Sequence, residues 1–468
     1  MFIGRFRPLR SFAGACILGT AAVILGSYSG AEARTAEQTA TSEGTRVQST
    51  KDATSPGSPT KTGGQGPASA TSTASPAQAA NAVQSLPLST LLDFARQRSF
   101  TTQQFDARVA GAAARLTGAG KLMNPVASVG GHFGKNAAGT DEDYILSQTF
   151  ELGDKRRQRV RAAGAERDAA SFDRMSAAAE LANSVKAAYF EAQRADAARQ
   201  LAQSALDNAK KFAQSAEVQF TAGDIPRTQV TRSRIEQNRA EQALAVAETD
   251  RANRFSTLRS LAHMPDAAVF ELAEPLAFVP VDYRLQDLRA FAVSHRPDLQ
   301  SVLRQRASKE ALLHGTRAQS QPDLFIEGRH SDIDPAVGGS TLRFGLLFPL
   351  LDFGRNRAES DSAKAAVAEQ DAVISETKRT ALLEVETAFR NLQAARTNVV
   401  SFRSGRLDSS KELVDLAQLG YSSGANTFLE LLDAQQVYRS EQTDYTRALA
   451  DYNVALAALE RAVGGRLP

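Results

Sequence analysis

The feature that most constrains the fold is a very long helical stretch in the second half of the chain. Residues 354–421 contain no proline and are dominated by alanine, glutamate, glutamine, arginine and leucine, which favour helices. The large apolar residues recur every three or four positions: Leu382, Val385, Phe389, Leu392 and Val399. At about 1.5 Å of rise per residue, one continuous helix would extend roughly 100 Å. We therefore expect an elongated body built around long helices.

The N-terminal segment, residues 1–33, has the three parts of an export signal. Arginines come first, an apolar run over 11–26 follows, and Ala31-Glu32-Ala33 forms a cleavage site. The apolar run is shorter than the about 20 residues that a transmembrane helix needs. Cleavage would also remove Cys16, the one cysteine of the sequence, so the mature protein would have no disulfide. We predict an exported protein.

Composition sets two further limits. Residues 34–84 are mostly Ser, Thr, Ala, Gly, Pro and Gln, and so few large aliphatic residues cannot offset the entropy of ordering. We predict a disordered linker there. The formal net charge is only +3, which gives no support to a nucleic-acid-binding function.

Beyond Leu86, helical and extended patterns alternate. The predicted elements of the first half are a helix over 86–122, strands over 126–133 and 143–150, a long helix over 154–222 and a helix over 226–262. Gly223 ends the long helix and Pro226 lies in the first turn of the next. The second strand places Tyr144, Leu146 and Phe150 on a face that is less polar than a soluble sheet usually shows.

The second half repeats the first at a separation of about two hundred residues. Strands return over 324–330 and 341–348. The matching positions include Asn124-Pro125 with Gln321-Pro322, Phe94-Ala95 with Phe291-Ala292, Gly153 with Gly354, Ala188-Tyr189 with Ala388-Phe389, and Phe220-x-x-Gly223 with Tyr421-x-x-Gly424. The predicted organisation is a signal peptide 1–33, a linker 34–84, a first repeat 85–285, a second repeat 286–464 and a tail 465–468.

Counting strands limits how the chain can be used. Four strands leave two unpaired edges and cannot close into a barrel. If they cross a membrane, every backbone group needs a partner, so several chains must pool their strands. Three chains would give twelve, an even number as in bacterial barrels. A soluble antiparallel sheet capping a helical bundle is the alternative.

The duplicated halves, the strand exits and the helical tips resemble the TolC-type outer-membrane efflux channels. The exits are Phe150 to Arg156 and Asp352-Phe353-Gly354-Arg355; one tip is Tyr421-Ser422-Ser423-Gly424, followed by Leu431 to Gln435. The resemblance covers roughly residues 86–464. Asn124-Pro125 and Leu146-Ser147-Gln148 look most like the heavy-metal-cation (CzcC-like) branch.

The resemblance implies an α+β membrane protein. Four strands per chain would contribute to a trimeric twelve-strand outer-membrane β-barrel, above a long α-helical barrel with coiled-coil tips in the periplasm. The tips would meet a periplasmic adaptor bound to an inner-membrane pump of RND type. The protein would be a passive exit duct for small molecules or metal cations, without enzyme activity. Type I protein secretion and a periplasmic coiled-coil adaptor remain alternatives.

The resemblance also points to residues at the tips. Thr228, Gln229, Tyr421, Asn426, Glu430 and Asp433 match aperture or gate positions, and Gly223, Pro226 and Gly424 form the tip turns. Asn426 and Gln229 replace the charged pair of a salt-bridge latch. Rings of Glu430 and Asp433 would favour cations, with Arg227 and Arg232 as partners, although Thr427-x-x-Glu430 is also a helix-capping pattern.

The strand-to-helix exits carry Gly153, Lys155, Arg156, Gly354 and Arg355. The basic residues that follow Gly153 are either a solvated face or a set that reaches anionic lipid headgroups. The five histidines show no metal-ligand or nucleophile spacing, and no phosphate-binding glycine loop is present. Asp332 and Asp334 near His330 read as a solvated loop. We predict no cofactor and no metal site.

Overall fold

The computed structural model describes residues 84–131, 142–331, 339–349 and 352–465. The helices are α1 Leu88–Arg98, α2 Phe100–Ala119, α3 Lys155–Ala222, α4 Arg227–Leu261, α5 Leu285–His295, α6 Pro297–Ala318, α7 Arg355–Ser401, α8 Leu407–Ser422 and α9 Phe428–Val463. The strands are β1 Gln84–Leu86, β2 Val126–Gly131, β3 Glu142–Phe150, β4 Phe270–Leu272, β5 Asp323–Ser331 and β6 Gly339–Leu347. Within these ranges, no helix has an apolar stretch long enough to cross a membrane.

Two predicted helices are interrupted. The helix expected over 86–122 is split at Ser99, which has an extended backbone and accepts a hydrogen bond from the Thr102 amide as the N-cap of α2. The helix expected over 354–421 is split by a π-helical segment, Phe402–Arg406, in which Gly405 has φ 123°. Only glycine adopts that backbone readily, so the prediction of one continuous helix was wrong at this position.

The larger sheet is antiparallel with the order β2-β3-β5-β6. Its interior pairing, β3 with β5, joins the two halves of the chain, while β2 and β6 are its edges. A small parallel sheet of β1 and β4, which the sequence pattern did not reveal, ties the start of the described chain to the segment after α4. The predicted four-strand set with two edges is therefore present.

The two faces of the larger sheet differ in polarity. Register places a predominantly apolar set of residues on one face, interrupted by Gln148, His330 and Ser340: Ala127, Val129, Tyr144, Leu146, Phe150, Leu324, Ile326, Leu342, Phe344 and Leu346. Phe344 and Leu342 on this apolar face are 79% and 74% exposed. The opposite face carries Asp143, Glu327, Arg329 and Arg343. An apolar face without covering residues needs an apolar environment.

The two β-hairpins share one register. Val126 lies opposite Ser147 in the first, and Asp323 opposite Leu347 in the second. The numbering offset is 197 between Val126 and Asp323, and 200 between Ser147 and Leu347. All six pairs of the first hairpin have counterparts in the second at these offsets, so the duplication is confirmed at the level of strand pairing.

This register corrects one sequence match. With an offset of 200, Gly153 corresponds to Phe353 and Asp154 to Gly354, and all four residues have positive φ, between 47° and 86°. The predicted equivalence of Gly153 with Gly354 was therefore wrong by one position. A left-handed pair precedes each long helix, and the two halves place glycine at different members of that pair.

The hydrophobic cores are duplicated as well. The first core lies among β1, α1, α3, α4 and β4, and the second among α5, α7 and α9. Corresponding buried pairs are Leu91 with Leu288, Ala95 with Ala292, Val185 with Val385, Ala192 with Leu392, and Leu258 with Leu459. Each half thus supplies its own core, while the domain boundaries at 85, 285 and 464 remain predictions.

Candidate functional site: the sheet wall, the strand exits and the helical tips

The polar face of the sheet carries two cross-strand ion pairs. Arg329 makes a bidentate contact with Asp143, with both nitrogen–oxygen distances 2.8 Å, and so links β5 to β3. Arg343 Nη1 lies 3.3 Å from Glu327 Oε1 and links β6 to β5. Sequence analysis missed these residues, although alternating charges within strands were the available signal. The larger sheet therefore has one charged face and one apolar face.

Phe325 lies on the polar face of the sheet, with Glu327 and Arg343. It is opposite Gly345 in β5–β6, and a side-chain carbon at Gly345 would approach the Phe325 ring to 2.7 Å. The ring therefore covers the glycine and lies against the polar face of the larger sheet. Gly345 is needed here because of this close approach.

A buried lysine anchors the first strand-to-helix exit, the connection between β3 and α3. Lys155 Nζ donates to Asp323 Oδ1 at 2.8 Å and to the Gln321 carbonyl at 2.9 Å, and its side chain is only 5% exposed. The backbone N–H of Leu152 donates to the same Asp323 oxygen at 3.1 Å. Neither a solvated face nor a lipid contact describes Lys155; both predicted interpretations were wrong for it.

The neighbouring arginines also bind protein groups. Arg159 makes a bidentate ion pair with Glu151, and its Nε donates to the Ala119 carbonyl at 3.2 Å. Arg156 donates to the carbonyl of Gly120. Arg156 and Arg159 thereby satisfy carbonyl groups at the C-terminal end of α2, where cations are favoured. This compensates for placing a basic run at the start of α3.

The second strand exit is held differently. Asp352 accepts from the backbone N–H groups of Gly354 and Asn356, at 3.0 and 3.1 Å. Arg355 pairs with Glu359 at 2.9 Å, and its side chain is 84% exposed. This exit has no counterpart of the buried Lys155 clamp in the parts of the chain that are described.

The two tips form their turns by different means. Gly223 caps α3 with φ 87°, and its N–H donates to the Phe220 carbonyl. Pro226 is the N-cap residue of α4, not a residue of its first turn as expected. In the second tip Ser423 caps α8, and Gly424 follows with φ 77°.

A cleft of about 720 Å³ lies between the two tips of one chain. Gln229 and Tyr421, two predicted gate residues, both line it together with Phe212 and Phe428. The Tyr421 hydroxyl lies 3.5 Å from Gln219 Oε1, and its ring centroid lies 5.8 Å from that of Phe428. The structure therefore brings Gln229 and Tyr421 to one cleft. Thr228 is exposed and outside its lining.

The acidic tip residues have separate environments. Glu430 and Thr427 form a capping box: Glu430 Oε2 accepts from the Thr427 amide at 2.7 Å, and the Thr427 hydroxyl accepts from the Glu430 amide at 3.3 Å. Asp433 is exposed one turn later. Within the described chain, neither Arg227 nor Arg232 forms an ion pair with them.

Asn426 packs inside its own turn. Its backbone N–H donates to the Gly420 carbonyl at 3.0 Å. A side-chain carbon at Gly420 would lie only 2.4 Å from Asn426 Nδ2. The small residue at 420 therefore makes room for the amide, so Asn426 has a structural role in the tip besides the predicted gating role.

No group of three or more His, Cys, Asp or Glu side chains suited to a metal ion is present in the described part of the chain. His330 Nδ1 lies 3.2 Å from the Ser340 hydroxyl. Asp332 and Asp334, the acidic neighbours considered with His330, lie outside the described residues.

Comparison with known proteins gives consistent results. The sequence profile of the family described as "Outer membrane efflux protein" matches residues 78–262 and 289–465. The cobalt-zinc-cadmium resistance protein CzcC of Cupriavidus metallidurans is 24% identical over 318 residues, which are 67% of this chain and 75% of CzcC. The outer membrane protein OprJ of Pseudomonas aeruginosa is 27% identical over 243 residues, about half of each chain (49% and 50%).

Solved structures agree on the fold. The CmeC outer membrane channel of Campylobacter jejuni superposes with a TM-score of 0.67 at 18% identity, covering 81% of this chain and 85% of that one. The open MtrE outer membrane channel of Neisseria gonorrhoeae gives a TM-score of 0.68 at 21% identity, covering 81% and 89%.

The fold and the family together fix the class of protein. The two matched stretches cover both repeats, and only residues 263–288 lie between them. The sheet is the outer-membrane part and the long helices are the periplasmic part, as the family resemblance implied. The chain belongs to the outer membrane efflux protein family, and its fold is that of the TolC-type channels.

Proposed function

We propose that the protein works as a homotrimer and is the passive exit duct of a tripartite efflux system. The observation that carries this proposal is the sheet, which has one apolar face, one charged face and two edge strands. Closing those edges with copies of the same chain would place the apolar face against lipid and the charged face toward a water-filled lumen. A periplasmic adaptor and an inner-membrane pump of RND type would supply the substrate and the energy.

We further propose that the transported substrate is a divalent metal cation. The similarity to a cobalt-zinc-cadmium resistance protein favours this class, and the exposed Asp433 at the tip is compatible with cation passage. The ion would be cargo, handled by electrostatic attraction at the tip and not by a coordinating site.

The substrate class is tested by deleting the gene and restoring it on a plasmid. Deletion is expected to lower the tolerated concentration of Co²⁺, Zn²⁺ or Cd²⁺ several-fold and to leave tolerance to organic dyes and antibiotics unchanged. Sensitivity to the organic compounds alone would contradict the metal assignment while leaving the duct assignment in place. No change with any compound would contradict the duct itself.

The role of the tip is tested by single-channel recording in planar bilayers. Asp433→Asn should lower the cation-to-anion permeability ratio, because three neutralised carboxylates would attract fewer cations. Asp224→Asn is the matched control, since Asp224 is also acidic, exposed and at a tip, but in the first hairpin. Equal ratios for the wild type and Asp433→Asn would remove Asp433 from the aperture.

A further inference from the structure

We propose that two copies of this chain join through a seam that repeats the seam between the halves of one chain, with different chemistry. The internal seam is the contact of β3 and the start of α3 with β5 and the end of α6. The external seam would join β6 and the start of α7 of one copy to β2 and the end of α2 of the next. The inference rests on the proposed homotrimer and adds its register and its contacts.

The duplicated register predicts how the edge strands pair. In the internal seam Gln148 lies opposite Ile326, and Ser147 opposite Glu327. The offsets that relate the two hairpins, 200 and 197, convert Gln148 to Phe348 and Ile326 to Val129. The same geometry between copies therefore places Phe348 opposite Val129 of the neighbouring copy. Both are large, apolar and exposed, at 53% and 71%.

The ionic clamp of the internal seam has no equivalent between copies. Within one chain, Lys155 is held by Asp323. At the external seam Arg355 takes the place of Lys155, while Val126 takes the place of Asp323. Val126 offers no carboxylate to Arg355, so this clamp is not repeated there, and we assign the contact at these positions to apolar residues.

Phe353 supplies such a contact. Its counterpart Gly153 has no room for a side chain, because a carbon there would approach Gln321 Oε1 to 1.8 Å. Gln321 corresponds to the shorter Asn124. Phe353 is 94% exposed and is held at φ 47°, a strained conformation for an aromatic residue. We assign this ring to a site on Met123 and Asn124 of the neighbouring copy, where Met123 is 49% exposed.

The helices at the two seams also differ in polarity, and again the external seam is the less polar one. In the internal seam the Ser308 hydroxyl lies 3.4 Å from Glu166 Oε1. The corresponding residues of the external seam are Gly111 and Ala366, which have no polar side chain. An interface of small residues allows two helices to approach closely. At these equivalent positions the external seam is thus less polar than the internal one, in the sheet and in the helices.

The register is tested by cysteine cross-linking in the full-length protein, after Cys16 has been replaced by serine. Phe348→Cys combined with Val129→Cys should give covalent dimers and trimers on oxidation, since opposed antiparallel residues lie within reach of a disulfide. Gln148→Cys with Ile326→Cys is the positive control within one chain. Phe348→Cys with Ala127→Cys tests a slip of two residues on the same face.

The outcomes separate this proposal from the homotrimer on which it rests. Cross-linked trimers with Val129→Cys and few with Ala127→Cys support the register. Trimers seen by light scattering that cross-link only through Ala127→Cys would overturn the register and leave the trimer intact. A monomer in light scattering, with no intermolecular cross-link from either pair, would overturn the homotrimer.

Phe353→Gly tests the apolar contact independently. Glycine accepts the positive φ at this position, so the substitution should not damage the fold of a single chain. The trimer should nevertheless dissociate in detergent at a temperature several degrees lower than the wild type, because the ring is lost from the seam. An unchanged dissociation temperature would overturn the placement of Phe353 in the seam.

Discussion

The two helical hairpins of this chain have a common origin but differ by one residue. In the first, α3 continues without interruption from Lys155 to Ala222. In the second, α7 stops at Ser401 and α8 begins at Leu407 after a π-helical segment. The numbering offset between equivalent buried residues is 200 before the interruption, as for Val185 and Val385, and 201 after it, as for Leu258 and Leu459. The π-helical segment therefore absorbs one additional residue.

This difference shows what a duplicated fold conserves. The strand register and the buried core positions are the same in both halves, because a change in either would move apolar side chains to the wrong face. A single extra residue in a helix is tolerated when a glycine can take the irregular backbone. Gly405 does so, and no heavy atom lies within 4 Å of the position where its side chain would begin.

The bends between the paired short helices, α1–α2 in the first half and α5–α6 in the second, are the second difference; we call these bends elbows. Ser99 caps α2 in the first half, whereas Arg296 occupies the corresponding elbow in the second. Arg296 donates to Asp298 at 2.6 Å, to Glu384 at 2.9 Å and to the Ala462 carbonyl at 2.8 Å. Gly464 passes so close that a side-chain carbon there would lie 2.7 Å from Arg296 Cα. The second elbow is therefore an ionic junction of α6, α7 and α9.

The largest expected effect is at this junction. Arg296→Ala would remove the partner of Asp298 and of the Ala462 carbonyl, while Glu384 keeps its contact with Arg461 at 3.5 Å. Because both carboxylates are about one-third exposed, the expected cost is about 2–3 kcal/mol in the free energy of unfolding. Ser99→Ala, the matched change in the other half, should cost only about 1 kcal/mol through loss of a helix cap. Thermal unfolding followed by circular dichroism measures both. Equal losses would mean that the two elbows are equivalent.

The next effect concerns the π-helical segment. Gly405→Ala should cost about 1–2 kcal/mol in the free energy of unfolding, because alanine resists a positive φ. Deletion of Gly405 should be tolerated better, since it would restore the spacing of the first hairpin and a continuous helix. Ala205→Gly, the reciprocal change in α3, should cost about 1 kcal/mol. A deletion more harmful than Gly405→Ala would show that the segment has a role of its own.

A smaller effect is expected at the tips. Thr427→Ala removes half of the capping box of α9 and should lower the free energy of unfolding by about 1 kcal/mol. Thr228→Ala in the first tip should change it little, because Thr228 is exposed and follows an N-cap, Pro226, that makes no side-chain cap bond. Thermal unfolding of the two variants compares the tips. A larger loss for Thr228→Ala would reverse their ranking.

The smallest effect is a dependence on pH at the second elbow. Burial is the largest single influence and would raise the pKa of Asp298, but the hydrogen bond and the charge of Arg296, together with backbone N–H donors, outweigh it and hold that pKa below its ordinary value of 3.8. The pair therefore stabilises the fold above pH 3.8, and this contribution is lost as the pH falls through the folded pKa.

Between neutral pH and about pH 3, the unfolding temperature of the wild type should fall further than that of Asp298→Asn, which has no carboxylate to protonate. Parallel falls in the two proteins would mean that Asp298 contributes nothing to the acid sensitivity.

Much of the fold could be predicted from the sequence. Period-two alternation identified β3 and its less polar face, because that pattern directly reflects which side chains share a face. The duplication then located the strand pair of the second half. Heptad spacing identified the buried positions Val385, Leu392 and Val399 of α7. The duplication was visible because both halves need the same apolar positions to build the same core.

The functional residues were predicted less well. The basic run after Gly153 was expected to meet solvent or lipid, but Lys155 binds Asp323, which belongs to the other half of the chain. Glu384 and Asp143, which pair with Arg296 and Arg329, are also remote from these arginines in sequence. Local pattern carries no information about which distant carboxylate a cation will meet.

The long helices, the four strands of the larger sheet, the duplication, the family resemblance and the need for a partner at two sheet edges could all be read from the sequence alone. These depend on periodicity and on turn residues, which act over a few positions. Only the tertiary structure decided the register, the one-residue difference between the hairpins and the ion pairs that join the halves. Those depend on distances between segments that are remote along the chain, and strand pairing and helix packing fix such distances only when the whole chain has folded.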